Sequence, residues 1–138
     1  MKKLLFAGFF LLTFLGQAQE TSGTQITVTI PNVPGNEGKV IISLYDEETF
    51  MKALPLQNGT SEIKDGKATF TFKEVPAGEY GIISIHDENN NDRIDMEPTG
   101  MPTEAYGVSN NPMSFGPPQW SEARFEVSDE PISLEIRF

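Results

Sequence analysis

Beyond its N-terminal segment, this chain alternates apolar and polar residues with a period of two. Ile26, Val28 and Ile30 interleave with Thr27 and Thr29. Ala68, Phe70 and Phe72 interleave with Thr69 and Thr71, directly after an Asp65-Gly66 turn signal. Ile132, Leu134, Ile136 and Phe138 interleave with Ser133, Glu135 and Arg137. Successive side chains of a strand point to opposite faces, so each run predicts a strand with one face on a core and one toward water. Val40 to Tyr45 is a continuous apolar, β-branched run, the pattern of a strand buried on both faces. Tyr80 to His86, Ala123 to Val127 and a weaker segment at Ser61 to Lys64 bring the count to about seven short strands with Gly and Pro between them. The pattern predicts an all-β chain, a single antiparallel immunoglobulin-like or transthyretin-like β-sandwich. The one helical candidate is Glu47 to Ala53, which Asp46 caps and Pro55 stops.

Two segments break the alternation. In Val75-Pro76-Ala77-Gly78-Glu79-Tyr80, proline and glycine set a tight corner and a tyrosine then enters a strand. A tyrosine so placed buries its ring and returns its hydroxyl to the corner, which is a fold signal and carries no activity. Residues 97–120 lack strand periodicity and are rich in Gly, Pro and Asn, yet carry Tyr106, Phe115 and Trp120. A loop this long in a compact domain is usually functional or mobile, unless its aromatics plug one end of the sandwich.

The N-terminus changes the picture of where the chain works. Lys2 and Lys3 precede an apolar run from Leu4 to Leu15, followed by Gly16-Gln17-Ala18 in a small-x-small pattern. A membrane-spanning helix needs about 20 apolar residues, so this run reads as a signal peptide. Cleavage is expected after Ala18, leaving residues 19–138 as one β-sandwich domain in the periplasm or outside the cell. The chain has no cysteine, which removes disulfides, thiol catalysis, cysteine-ligated metals and a lipoprotein anchor. Loss of the two leader lysines takes the formal charge from −10 to −12. Such a surface repels phosphate backbones and anionic lipid, so neither nucleic acid nor, after cleavage, a membrane is an expected partner. It suits divalent cations.

One loop has the spacing to hold such a cation. After His86 comes Asp87-Glu88-Asn89-Asn90-Asn91-Asp92-Arg93-Ile94-Asp95. Oxygen-bearing side chains at Asp87, Asn89 and Asn91, the main-chain carbonyl of Arg93 and the carboxylate of Asp95 follow the order in which a chain wraps calcium. The sixth position, normally glycine in a left-handed turn, is Asp92, a residue type that tolerates positive φ. The twelfth, normally a bidentate glutamate, is Pro98, with Glu97 one residue early and Glu104 able to return from the long loop. The expectation is a weak calcium site, with Kd of ~10⁻⁴ to 10⁻³ M. A polar turn made by Asp and Asn is the plainer alternative.

Other chemistries have less support. An exposed platform of Tyr106, Phe115 and Trp120, with Glu104 nearby, would suit a carbohydrate or an envelope protein. The single histidine, His86, sits beside Asp87 with Ser84 near it and Ser109 and Ser114 in the long loop, but no Gly-x-Ser-x-Gly elbow is present. No catalytic residue and no organic cofactor is therefore assigned, and the reading is non-enzymatic, with a small hydrolase as the remote alternative.

Three runs occur in one order: Pro76-Ala77-Gly78-Glu79-Tyr80, His86-Asp87-Glu88-Asn89 to Asp95, and Gly100-Met101-Pro102-Thr103-Glu104-Ala105-Tyr106-Gly107-Val108-Ser109-Asn110-Asn111. Together they make the chain, from roughly Ile26 to Phe138, resemble the bacterial exported family called domain of unknown function 2141. The family usually reads Asn-Gly where this chain has Asn91-Asp92. The resemblance implies an exported β-sandwich and leaves the activity open.

Overall fold

A computed structural model describes residues 23–138; the leader and its expected cleavage point lie outside the described residues. The strands are β1 Thr24–Ile30, β2 Lys39–Tyr45, β3 Gln57–Ser61, β4 Ala68–Val75, β5 Gly78–Asp87, β6 Tyr106–Val108, β7 Phe125–Val127 and β8 Ile132–Glu135, with one short helix, α1 Trp120–Ala123. They form two packed sheets. One has the order β4-β1-β8, and the other runs β3-β2-β5-β6 with β7 paired to the first residues of β5. The β-sandwich expected from the alternation is what the chain forms, with eight strands among the described residues in place of about seven.

The main core lies between the sheets. Ile26, Val28 and Ile30 of β1 and Val40, Ile42 and Leu44 of β2 meet Phe72, Val75, Ile82 and Ile136, all essentially inaccessible to solvent. A second cluster covers the outer face of the larger sheet, where Ile83 and Val108 pack with Phe50 and Ala123 and, at the margin, Tyr45, Ile85, Tyr106 and Trp120. Two layers on one sheet explain why β2 and β5 read as continuous apolar runs: both of their faces are covered. The Tyr80 hydroxyl donates to the Pro76 carbonyl at 2.7 Å, closing the expected corner. Burial, followed by the nearby Asp46 charge, raises the Tyr80 pKa above its ordinary value.

The structure differs from the pattern in four places. β8 runs parallel to β1, Ile26 opposite Ile132, because the chain crosses between sheets at the end where β1 begins. Asp46 does cap the segment after it, accepting from the Thr49 N–H at 2.9 Å. That segment forms only hydrogen-bonded turns, because Met51 takes a φ of 58° and no helix continues through it. The helix falls at Trp120–Ala123, so the strand expected from Ala123 starts at Phe125. β3 lies at Gln57–Ser61, earlier than the expected Ser61 to Lys64. Its central residue, Gly59, has no side chain to reveal the alternation, and the Phe70 ring fills the space instead. A Cβ on Gly59 would stand 2.0 Å from Phe70 Cζ.

Two substitutions test this frame by denaturant unfolding. Gly59→Ala drives a methyl into the Phe70 ring and is expected to destabilise by about 1–3 kcal/mol. Tyr80→Phe removes the corner hydrogen bond and is expected to cost about 1 kcal/mol. Both should lower the unfolding midpoint with the slope unchanged.

Candidate functional site

The candidate loop begins inside the protein. Asp87, the last residue of β5, is fully buried, and the turn before β2 packs onto its backbone. Gly38, at φ 75°, makes that contact: a Cβ there would lie 2.1 Å from the Asp87 carbonyl oxygen. A buried carboxylate needs donors in place of water. Asp87 Oδ1 accepts the Asn91 N–H at 3.1 Å, and Oδ2 accepts the Asp92 N–H at 2.9 Å. Lys39 Nζ stands 4.0 Å from Oδ2 and donates to the Asp92 carboxylate. To present these N–H groups the loop turns back through left-handed backbone at Asn90, φ 55°, and Asp92, φ 63°. Asn and Asp are the non-glycine residues that best tolerate that region, so Asp92 occupies the conformation expected at the sixth position.

The alternate side chains fold inward. Asn89 Oδ1 accepts the Asn91 N–H at 3.3 Å, and Asn91 Oδ1 accepts the Arg93 N–H at 3.2 Å. Their amide nitrogens converge on Asp95: Asn91 donates to Oδ1 at 2.7 Å and Asn89 to Oδ2 at 2.6 Å. The Asn91 amide, with the Asn89 amide behind it, holds the Asp95 carboxyl below its ordinary pKa against a desolvation that pushes it up. Thus Asp87, Asn89, Asn91 and Asp95 are brought together. Arg93 joins through its N–H.

Glu104 does return from the long loop, and it is buried. Its Oε1 accepts the Asp95 N–H at 2.8 Å and its Oε2 the Glu88 N–H at 2.7 Å, so one carboxylate staples both ends of the loop. Thr103 reinforces the join, its N–H donating to the Asp95 carbonyl at 2.8 Å. Among the described residues, no three acidic or histidine side chains come close enough to hold an ion by themselves. Any ion here would therefore draw on asparagine and main-chain oxygens as well as Asp87 and Asp95.

The remaining candidates are dispersed. Tyr106 and Trp120 are half-buried against the second cluster, Trp120 with its ring 5.7 Å from that of Phe50. Phe115 is fully exposed. His86 Nε2 lies 2.7 Å from the Glu37 carbonyl oxygen and so carries the proton. Nδ1 faces Glu88 Oε1 at 3.5 Å, and no serine hydroxyl reaches the ring. A Ser-His-Asp relay needs the hydroxyl on the imidazole, and this geometry does not provide it.

Sequence reasoning missed the work of Gly107 to Asn111. Gly107 lets the C-terminal segment cross: a Cβ there would meet the Arg137 carbonyl oxygen at 2.6 Å. Ser109 Oγ accepts the Ile82 N–H at 3.0 Å and donates to the Ala123 carbonyl at 2.5 Å. Asn110 donates to the Glu122 and Arg124 carbonyls, both at 2.9 Å. Asn111 donates to the Glu135 carbonyl at 2.9 Å and accepts the Arg137 N–H at 2.8 Å, as a neighbouring strand would. The distinctive motif is a junction between sheets.

The sequence profile of a bacterial family described as "Uncharacterized protein conserved in bacteria (DUF2141)" matches residues 28–135. No curated protein matches the chain. Among solved structures, the pilus-presented adhesin Spy0125 (Cpa) is similar at 14% identity and a TM-score of 0.28, over 86% of this chain and 27% of the adhesin. A cysteine-to-alanine mutant of that adhesin gives 15% identity and a TM-score of 0.26, over 83% and 26%. The chain spans about a quarter of the adhesin's length. The profile match runs from the middle of β1 to the end of β8, through the Asp87–Asp95 loop and the Gly107–Asn111 junction, and the chain belongs to the bacterial DUF2141 family.

Proposed function

We propose that this chain is a non-enzymatic β-sandwich binding module, exported to the periplasm or beyond, whose Asp87–Asp95 loop is a weak site for calcium or a similar hard cation. The carrying observation is the convergence of the Asn89 and Asn91 side chains on the Asp95 carboxylate, beside buried Asp87, with Asp92 in left-handed backbone. The donor set fits a hard cation: each carboxylate oxygen keeps a lone pair beyond the hydrogen bond it accepts, and calcium tolerates irregular oxygen shells completed by water. The segment Asp87 to Glu104 also carries six carboxylates against Arg93, with Lys39 alongside. Without an ion, the two asparagine amides satisfy the ionised Asp95 carboxylate by donation. With one, the same amides turn their oxygens inward. Through Glu104 the ion then orders the long loop, which presents the binding surface to a carbohydrate or an envelope protein.

A second reading places the ligand in the cleft between that loop and the C-terminus. The cleft has a volume of about 410 Å³ and is lined by Tyr106, Asn111, Met113, Glu122, Arg137 and Phe138.

Thermal melts in EDTA and across a calcium titration test the site. With Kd near ~10⁻⁴ M, about 10 mM calcium stabilises by about 2.7 kcal/mol, a rise in midpoint of order 10 °C. Asp95→Ala should abolish the rise. Asp87→Ala is the poorer probe, because it also strips two N–H groups of their acceptor. The double variant Asn89→Asp/Asn91→Asp separates a cation site from a polar turn. It should melt lower in EDTA, through repulsion with Asp95, and show a larger calcium shift than the parent. A loss that calcium does not recover would sink the reading.

Acid gives an independent check. The folded Asp95 pKa lies below its ordinary value. Its contribution to stability is therefore present above the unfolded value of about 3.9 and lost as pH falls through the folded value. In EDTA, the midpoint should decline more steeply below about pH 4 in the parent than in Asp95→Asn.

A further inference from the structure

Methionine is normally a core-filling residue, unbranched and soft, and among the types most often buried. This chain places it elsewhere. Of its five methionines Met1 lies outside the described residues, and the other four stand exposed: Met51 at 55%, Met96 at 56%, Met101 at 63% and Met113 at 95%. Neither core cluster contains a thioether. The buried residues are Ile, Val, Leu, Ala, Phe and Tyr, and the chain has no cysteine. His86 is buried, and Trp120 is half-buried against Phe50. Among the described residues the oxidisable sulfur is thus all at the surface, over a core of side chains that resist two-electron oxidants.

We propose that Met51, Met96, Met101 and Met113 are oxygen-accepting modification sites, which take the attack of a hypohalous acid or peroxide while the fold stays intact. With hypochlorous acid the step balances within itself. In net terms an S–O bond forms and the O–Cl bond breaks. Sulfur loses two electrons to become a sulfoxide, chlorine leaves as chloride, and the hydroxyl proton passes to solvent. The sulfoxide is polar and disrupts a core when formed inside one, but at an exposed position it exchanges a solvated thioether for a better-solvated group. Thiol-dependent sulfoxide reductases reverse it, and exposed side chains are within their reach. Three of the four sites flank functional segments: Met96 and Met101 lie on either limb of the turn after Asp95, where the Glu97 N–H donates to the Met101 carbonyl, and Met113 lies at the cleft. The proposal stands whether or not the loop binds a cation.

The experiment titrates the purified protein with hypochlorous acid and follows intact mass, peptide mapping and thermal melting together. The expected result is oxygen on these four methionines before Trp120 or His86. Each should react within about threefold of free methionine's rate, with the midpoint unchanged and the added mass removed by sulfoxide reductase. The variant carrying leucine at all four positions should keep the parental midpoint and route the same oxidant dose to aromatic residues and loss of fold. Two results would overturn the proposal: a midpoint that falls in step with methionine oxidation, or thioethers reacting tenfold or more slowly than free methionine, as groups covered in solution do.

Discussion

The burial of one carboxylate organises this molecule. Asp87 ends the longest strand inside the protein, where an ionised group must be given donors or neutralised. The Asn91 and Asp92 N–H groups answer that demand, and reaching them forces the loop through left-handed backbone. The reversal brings Glu88 and Asp95 to the same side, where Glu104 accepts from both. With Glu104 fixed, Ala105 accepts the His86 N–H at 2.9 Å, and β6 is laid along β5. β6 then delivers Ser109 and Asn111 to the helix and to the strand of the opposite sheet. A chain without disulfides thereby joins its two sheets on this side through the Asn111 side chain, while Gln57 and Ser61 of β3 bond the backbone of β4 at the other edge.

The parts legible in the sequence are those where a strand has one wet and one dry face, or both faces covered. β1 and β4 announce themselves by threonines between aliphatic and aromatic residues, and β2 by an unbroken apolar run. The same logic fails at β3, where Gly59 relies on Phe70 from another strand, so the signal for its inward face is borrowed. It fails at β6, three residues long within a polar loop. It fails at α1, whose Trp120 and Ala123 have too few turns to display a period. The alternation also breaks within β4, where Glu74 at φ 55° forms a bulge. That re-phases the strand and lets both Phe72 and Val75 face the core.

The loop itself was legible as a spacing of oxygen atoms, since Asp and Asn at alternate positions suit any inward-wrapping turn. Its internal bonding was not. Nothing in the spacing distinguishes an asparagine that points its oxygen at an ion from one that points its nitrogen at a carboxylate. Nor does sequence order indicate that Glu104, in the long polar loop, would be buried with both oxygens on backbone N–H groups.

That ambiguity of the amide has a physical consequence. A loop built from aspartates at all the alternate positions would bind cations more tightly, but its ion-free form would hold several unscreened carboxylates within hydrogen-bonding distance. Asparagine suits both states: it donates to Asp95 in this structure, and under the proposed cation binding its side-chain oxygen would serve as the ligand. The loop is therefore held in shape by its own side chains, and a cation would have little folding to drive. A cation site on such a preformed loop would be weak, and the fold would not depend on the cation for its existence. A cation bound as proposed would adjust the order of the long segment beyond Asp95, while Asp87, the two asparagine amides on Asp95 and the Glu104 staple maintain the turn without it.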